Sequence, residues 1–236
     1  MAETKTNAEV SNPGKPTLHH LDHSQSQRIL WLLEELSIPY NLVLYKRDEN
    51  KRSPPELSKV HPLGRSPVLI TPDGKVLTES MTIATYLLET YDPSKKFASN
   101  DWIRDMTLTS FSGTSLLDLA DTELLFDLAA KHTPWPFVYI TRKIKKSYDS
   151  FFSAAEFKKD MEFLTQELGE QEWFNGKEPG RADFMLSWPM DMIAARGYVD
   201  FEKDWKTLHA WRMRILARPA WKSAIDKGEG YDLRSW

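Results

Sequence analysis

Apolar residues recur along this chain with two different periods, and the change from one to the other divides it. Up to residue 91, short apolar runs of strand type exchange with helical patterns. Thr17–Leu21 reads as a strand. Ser24-Gln25-Ser26-Gln27 then offers capping side chains ahead of Ile29-Leu30-Trp31-Leu32-Leu33, a buried helix predicted to end near Ser37. Asn41–Tyr45 is a second strand and the charged residues 46–52 a loop. Pro54-Pro55-Glu56-Leu57 can open a short helix, since proline is tolerated in a first turn. Val68-Leu69-Ile70 and Val76-Leu77 flank Pro72-Asp73-Gly74, the turn chemistry of a hairpin. Ser80–Tyr91 carries Ile83, Tyr86, Leu87 and Tyr91 at helical spacing. The predicted order is β-α-β-α-β-β-α. Beyond it the pattern is helical throughout, over 101–131, 134–152, 154–168, 183–196 and 205–217.

Composition sharpens that division. All eleven Phe and eight of the nine Trp lie beyond residue 91, whereas eight of the fourteen Pro lie before it, so two differently built cores are expected. Asp92-Pro93-Ser94-Lys95-Lys96 is the hinge, because Pro93 stops the preceding helix and the charges favour solvent. The expected organisation is a polar, mobile tail over 1–16, an α/β domain over 17–91, a linker over 92–100 and an all-α domain over 101–236.

Charge and cysteine content exclude several classes. Thirty-one Lys and Arg against thirty-four Asp and Glu give a net charge of -3, which cannot supply the phosphate-neutralising field of a nucleic-acid binder. No apolar stretch approaches the roughly 18 residues of a membrane span, and the polar start lacks the apolar centre of a secretory signal, so a cytoplasmic protein is expected. With no cysteine, the chain cannot form disulfides, thiolate metal sites or its own sulfur nucleophile. Thiol chemistry must therefore come from a bound molecule. His19, His20 and His23 do not read as a metal site, because adjacent strand residues face opposite ways. Arg142-Lys143-Ile144-Lys145-Lys146 reads as the wet face of a helix, and Trp205, Trp211, Trp221 and Pro219 as core and helix-end packing.

A domain of order β-α-β-α-β-β-α ahead of a helical bundle resembles the cytosolic glutathione transferases, and three ordered motifs carry the resemblance. Residues 18–36, LHHLDHSQSQRILWLLEEL, resemble the first strand and helix of bacterial and fungal members. Pro55-Glu56-Leu57 through His61-Pro62-Leu63-Gly64-Arg65-Ser66-Pro67-Val68-Leu69 resembles the next, with His61 at a structural position where many members carry Asn. Glu79-Ser80 completes the glutathione signature. The implied fold is a thioredoxin-like α/β domain followed by an all-α bundle; the implied co-substrate is glutathione, with no metal.

The resemblance also implies roles. Ser24, four residues before Arg28, matches the catalytic serine that donates to the glutathione sulfur, with Ser26 as the alternative; a hydroxyl near a helix N-terminus favours thiolate. Ser66 pairs through its main chain with the ligand backbone beside a cis Pro67. Ser80 takes the γ-glutamyl carboxylate at a helix N-terminus and Glu79 the amino group. Arg65 stands where relatives place Gln or Lys against the ligand, and Lys51 or Arg52, ahead of Lys46 and Arg47, answer the glycyl carboxylate. Trp102, Met106 and Phe111 are candidates for an apolar electrophile pocket, with Trp135 and Phe137 behind them.

Two departures stand out. Gly180 replaces the Ser or Thr that usually caps the helix near Asp183, at a cost of a few tenths of a kcal/mol. Phe111-Ser112-Gly113-Thr114-Ser115 replaces an acidic residue before Gly-Ser, which bears on the second substrate. The implied activity is conjugation of glutathione to an apolar electrophile by a homodimer, a detoxification chemistry. A glutathione-dependent peroxidase, isomerase or biosynthetic C–S bond former is the alternative, and a non-catalytic binding module of the same fold the third reading.

Overall fold

A computed structural model describes residues 14–234, so most of the tail expected over 1–16 lies outside the described residues. The chain forms two compact units, residues 14–98 with 216–234, and residues 99–215.

The first unit follows the predicted order: β1 (Thr17–Leu21), α1 (Gln27–Leu36), β2 (Asn41–Tyr45), α2 (Pro55–Val60), β3 (Val68–Ile70), β4 (Val76–Leu77) and α3 (Ser80–Tyr91). The sheet order is β2-β1-β3-β4. β1 pairs in parallel with β2, setting Thr17 opposite Asn41 and Leu21 opposite Tyr45, and antiparallel with β3, setting His19 opposite Val68. β3 and β4 form the expected hairpin. As a central strand, β1 buries His19, His20 and Leu21 alike. Every residue of α1 from Gln27 to Leu33 is buried, more than one apolar stripe requires. Past α3, Asp92 ties the linker to itself: its carboxylate accepts from the backbone N–H groups of Lys96 (3.0 Å) and Phe97 (2.8 Å) and from the Ser94 hydroxyl (3.0 Å).

The second unit contains α4 (Trp102–Gly113), α5 (Ser115–His132), α6 (Val138–Tyr148), a π-helical turn (Asp149–Ser153), α7 (Ala154–Leu168), α8 (Arg181–Arg196), α9 (Phe201–Asp204) and most of α10 (Lys206–Ala217). α8 is its hub, buried continuously from Ala182 to Ile193. The single helix expected over 101–131 breaks at Thr114, whose φ of -112° and ψ of -80° are not helical. The helix expected from 134 starts at Val138, because Pro134 and Pro136 each bias the preceding residue, Thr133 and Trp135, away from helical backbone. It then runs through the π turn into α7, joining two predicted helices.

Asp183 organises this unit. Its carboxylate accepts from the backbone N–H groups of Phe174 (2.9 Å), Gly180 (2.8 Å) and Asn175 (3.3 Å) and from Trp211 Nε1 (2.7 Å). Burial raises its pKa to about 6 against these four donors, so it is charged at neutral pH. Gly180 is the N-cap, as expected, but the space around it is filled: an added Cβ would lie 2.6 Å from Asn175 Cβ. A second tie runs between α4 and α8, where Arg181 pairs with Asp105 and Asp105 accepts from the Ala182 N–H at 3.2 Å.

One residue of the basic run departs from the wet face. Arg142, Lys143 and Lys146 are exposed, whereas Lys145 turns inward onto Glu123 (2.6 Å), Asp127 (3.4 Å) and Asp149 (3.0 Å). It falls on the same helical face as Val138, Thr141 and Tyr148, the face that packs.

The last helix, α11 (Pro219–Lys227), lies along α1 in the first unit, although the sequence pattern grouped it with the helical half. Trp221 meets Trp31 edge-on at 5.5 Å, and Arg218 pairs with Glu35, which also accepts from Trp31 Nε1 at 2.9 Å. α1 is therefore covered by α11 as well as by β1 and α3, which accounts for its all-round burial.

Candidate functional site

The site begins with a turn. After β1 the backbone reverses through His23, a non-glycine residue at φ 48°, a conformation that costs free energy and persists only where the surroundings enforce it. Here they do: the Asp232 N–H donates to His23 Nδ1 at 2.9 Å, and the Arg47 guanidinium reaches the His23 carbonyl at 3.5 Å. The turn delivers Ser24 ahead of α1.

Ser24 is nearly closed off, 4% exposed. Its hydroxyl donates to the Leu21 carbonyl at 2.7 Å and accepts from the Ser26 N–H at 3.2 Å. It thus braces the turn ahead of α1, whose N-cap is Ser26, and has one proton to redirect. Ser26 has no exposure at all, and its hydroxyl lies 3.0 Å from His20 Nδ1. Burial lowers the His20 pKa to about 4, so that imidazole is neutral and the pair is a closed hydrogen bond within the core. His19, one residue away on β1, bonds instead to the Tyr45 hydroxyl at 2.8 Å. Among the described residues, no group of three or more His, Asp or Glu is placed to hold a metal.

Ser66 reaches the same turn from the opposite motif. Its hydroxyl accepts from the Leu21 N–H at 3.0 Å and donates to the His19 carbonyl at 2.9 Å. Leu21 therefore bonds to Ser24 through its carbonyl and to Ser66 through its N–H. Ser66-Pro67 is cis, as the resemblance implied.

The third motif joins through Gln25, which the sequence places only among the capping residues of α1. Glu79 precedes α3 at φ 63°, and Ser80 opens the helix, 6% exposed. The Ser80 hydroxyl faces Gln25 Oε1 at 3.5 Å, and Gln25 Oε1 also accepts from the Arg28 guanidinium. Burial lowers the Arg28 pKa to about 10, opposed by Tyr231 and Glu79, so the guanidinium remains charged within the unit. Gln25, Arg28 and the returning segment around Asp232 were missing from the predicted site. The signal for Arg28 was present, a cation immediately before the apolar run Ile29–Leu33.

The remaining candidates are dispersed. Arg65, Lys51 and Arg52 are exposed. Lys46 pairs with Glu229 at 2.9 Å, and Arg47 is occupied by the Asp22 carboxylate, which takes its backbone N–H at 2.9 Å, and by the Lys51 carbonyl at 2.8 Å. In the second unit Trp102 is 70% exposed, Met106 lies against the Arg181 guanidinium, and Phe111 packs edge-on against Phe163 at 5.0 Å.

Known proteins share this architecture. A family model for the N-terminal domain of glutathione S-transferase matches residues 24–90, and one for the C-terminal domain matches residues 129–219. Glutathione S-transferase 1 of Saccharomyces cerevisiae is 34% identical over 221 residues, covering 89% of this chain and 94% of its own length. Glutathione S-transferase 3 of Schizosaccharomyces pombe is 32% identical over 92% of this chain and 89% of its own. Among solved structures, a glutathione S-transferase from Actinobacillus pleuropneumoniae superposes with a TM-score of 0.70 at 29% identity, covering 94% of this chain and 96% of that one. A glutathione transferase from Phanerochaete chrysosporium, crystallised with oxidized glutathione, superposes with a TM-score of 0.72 at 25% identity, covering 93% and 97%. With both domains of the family in order and relatives this similar over nearly the full chain, the protein belongs to the glutathione S-transferase family.

Proposed function

We propose that the first unit binds glutathione in extended form and that Ser24 stabilises its thiolate for attack on an apolar electrophile. The observation that carries this reading is the hydrogen-bonded linkage of three sequence-distant motifs, Ser24 and Ser66 through Leu21, and Ser80 through Gln25 to Arg28. A chain without cysteine that gathers two hydroxyls, a helix N-terminus and a buried cation is suited to an anionic ligand that brings its own sulfur.

In this reading the γ-glutamyl carboxylate sits at Ser80 and the N-terminus of α3, with the Arg28 charge behind it, and Glu79 accepts from the amino group. Ser66 offers its main chain to the cysteinyl backbone beside Pro67, its side chain being committed to β1. The Ser24 proton turns from the Leu21 carbonyl to the sulfur. Ser26 is less suited, since its hydroxyl is enclosed with His20. Arg65, Lys51 and Arg52 are exposed cations for the glycyl end. The thiolate then forms the C–S bond as the leaving group departs with its electron pair, or adds to an activated double bond whose π electrons move onto the activating group and take up a proton from water. Trp102, Met106 and Phe111 are the proposed apolar contacts for the electrophile. The reading also takes the protein as a cytoplasmic symmetric dimer active in detoxification, two-fold dimers being the commonest soluble oligomers.

The test is the ultraviolet absorbance of bound glutathione thiolate against pH, in the parent and in Ser24→Ala. A free thiol titrates near ~8.5. The bound thiol should titrate lower, and losing a hydrogen bond to the charged form should raise its pKa by about one to two pH units. An identical titration in the variant would transfer the role to Ser26 or to backbone donors.

A further inference from the structure

The second unit carries a feature that glutathione chemistry does not use. None of the residues of α6 is buried. A helix usually earns its place by burying an apolar stripe; this one faces outward with Ile140 and Ile144, 57% and 52% exposed, in line with Phe137 on the preceding turn. At about 100° per residue these three fall within an arc of about 60°. Trp135 and Phe151 extend the exposed apolar surface at either end.

The charges beside the stripe are of one sign. Between Asp127 and Asp149 the sequence contains Lys131, Arg142, Lys143, Lys145 and Lys146 and no Asp or Glu, in a chain whose net charge is -3. Lys145 is neutralised inward by Glu123, Asp127 and Asp149. Arg142, Lys143 and Lys146 are exposed; at about 100° per residue Lys143 borders the apolar stripe about 60° from Ile140, and Lys146 and Arg142 continue round the helix away from it, so apolar and cationic residues occupy different sides.

We propose that α6, with the Trp135–Phe137 turn, is a peripheral docking face for an anionic lipid surface. An amphipathic helix of low overall hydrophobicity, with cations on one side and Trp, Phe and Ile on the other, lies in the plane of the lipid interface, and the Trp ring suits the headgroup level. No described helix is long and apolar enough to cross a membrane, so attachment is to the surface. A second copy of the chain fits the face less well. A two-fold contact over the stripe would bring the bordering Lys143 toward its own copy, with no carboxylate between Asp127 and Asp149 to pair it, whereas anionic headgroups pair it. Where the electrophile is apolar, a point that rests on the function proposed above, docking would place the enzyme where such molecules accumulate.

The experiment is flotation of the full chain, without glutathione, with vesicles of phosphatidylcholine alone or with about one-third phosphatidylserine. The parent should float with the anionic vesicles at low salt and be released at high salt, where exposed charges are screened. Lys143→Glu/Lys146→Glu should lower the partition coefficient by about 25-fold or more, taking about fivefold per cation near an anionic surface. Ile140→Ser/Ile144→Ser should weaken binding at constant charge. Both pairs should keep the parent's melting temperature and glutathione turnover, which separates this test from that of Ser24. Absence of flotation by the parent, or binding that survives both substitutions, overturns the proposal. A dimer that Ile140→Ser/Ile144→Ser dissociates, with no vesicle binding, would reassign the face to self-association.

Discussion

Asp183→Asn should be among the most damaging isosteric changes available to the helical unit. The carboxylate oxygens share four N–H donors, Phe174 and Trp211 on Oδ1, Gly180 and Asn175 on Oδ2. An asparagine keeps one oxygen for one pair and turns an NH2 group toward the other, leaving two buried donors facing a donor. Each unsatisfied buried donor costs about 1–3 kcal/mol. Against this stands the relief from burying a charge, visible in the raised pKa of Asp183. The expected net loss is about 3 kcal/mol, or about 6–12 °C in melting temperature for a chain of this size. Urea denaturation followed by far-ultraviolet circular dichroism measures it. Trp211→Phe removes one of these donors but also part of a fully buried ring, so its larger loss measures the cavity as well as the hydrogen bond. A loss below about 1 kcal/mol for Asp183→Asn would refute the view that this carboxylate holds the loop before α8.

Two further outcomes follow from the same kind of reasoning. Gly180→Ser restores the usual capping residue, yet should destabilise the chain by about 1–3 kcal/mol, because the new Cβ would lie 2.6 Å from Asn175 Cβ; a gain in urea midpoint would contradict this. His20 is neutral in the fold, with a pKa of about 4 against 6.5 unfolded. The unfolded chain therefore binds the extra proton, and the contribution of His20 is present above pH 6.5 and lost as pH falls toward 4. Between pH 7 and 5 the loss should be about 2 kcal/mol, and the urea midpoint of His20→Gln should fall less steeply than that of the parent over that interval; parallel curves would exclude His20 as the cause.

Helix continuity shows where local pattern loses its power. The break at Thr114 and the π turn at Asp149–Ser153 leave the apolar spacing on either side almost unaltered, so spacing predicts one continuous helix across the first and two separate helices at the second, where the structure breaks the one and joins the others. Lys145 shows a second limit. Its neighbours in sequence are all wet, and only the approach of Glu123 and Asp127 from α5 makes the inward rotamer favourable. Gly180 shows a third: the cap position is legible three residues before Asp183, but the side chain that forbids a larger residue there comes from Asn175 across the turn.

The sequence alone determined the β-α-β-α-β-β-α order, the hairpin, the helical second half, the absence of a protein thiol and the three motifs of the family, because each is written in residue type, local spacing or short-range turn chemistry. Tertiary structure decided what those motifs touch: Leu21 shared by Ser24 and Ser66, Gln25 and Arg28 behind Ser80, the return of α11 and Asp232 to the first unit, and an α6 that exposes its apolar stripe. Those arrangements depend on which distant segment arrives beside each residue, and hydrophobic period specifies that a face must be covered without specifying by what.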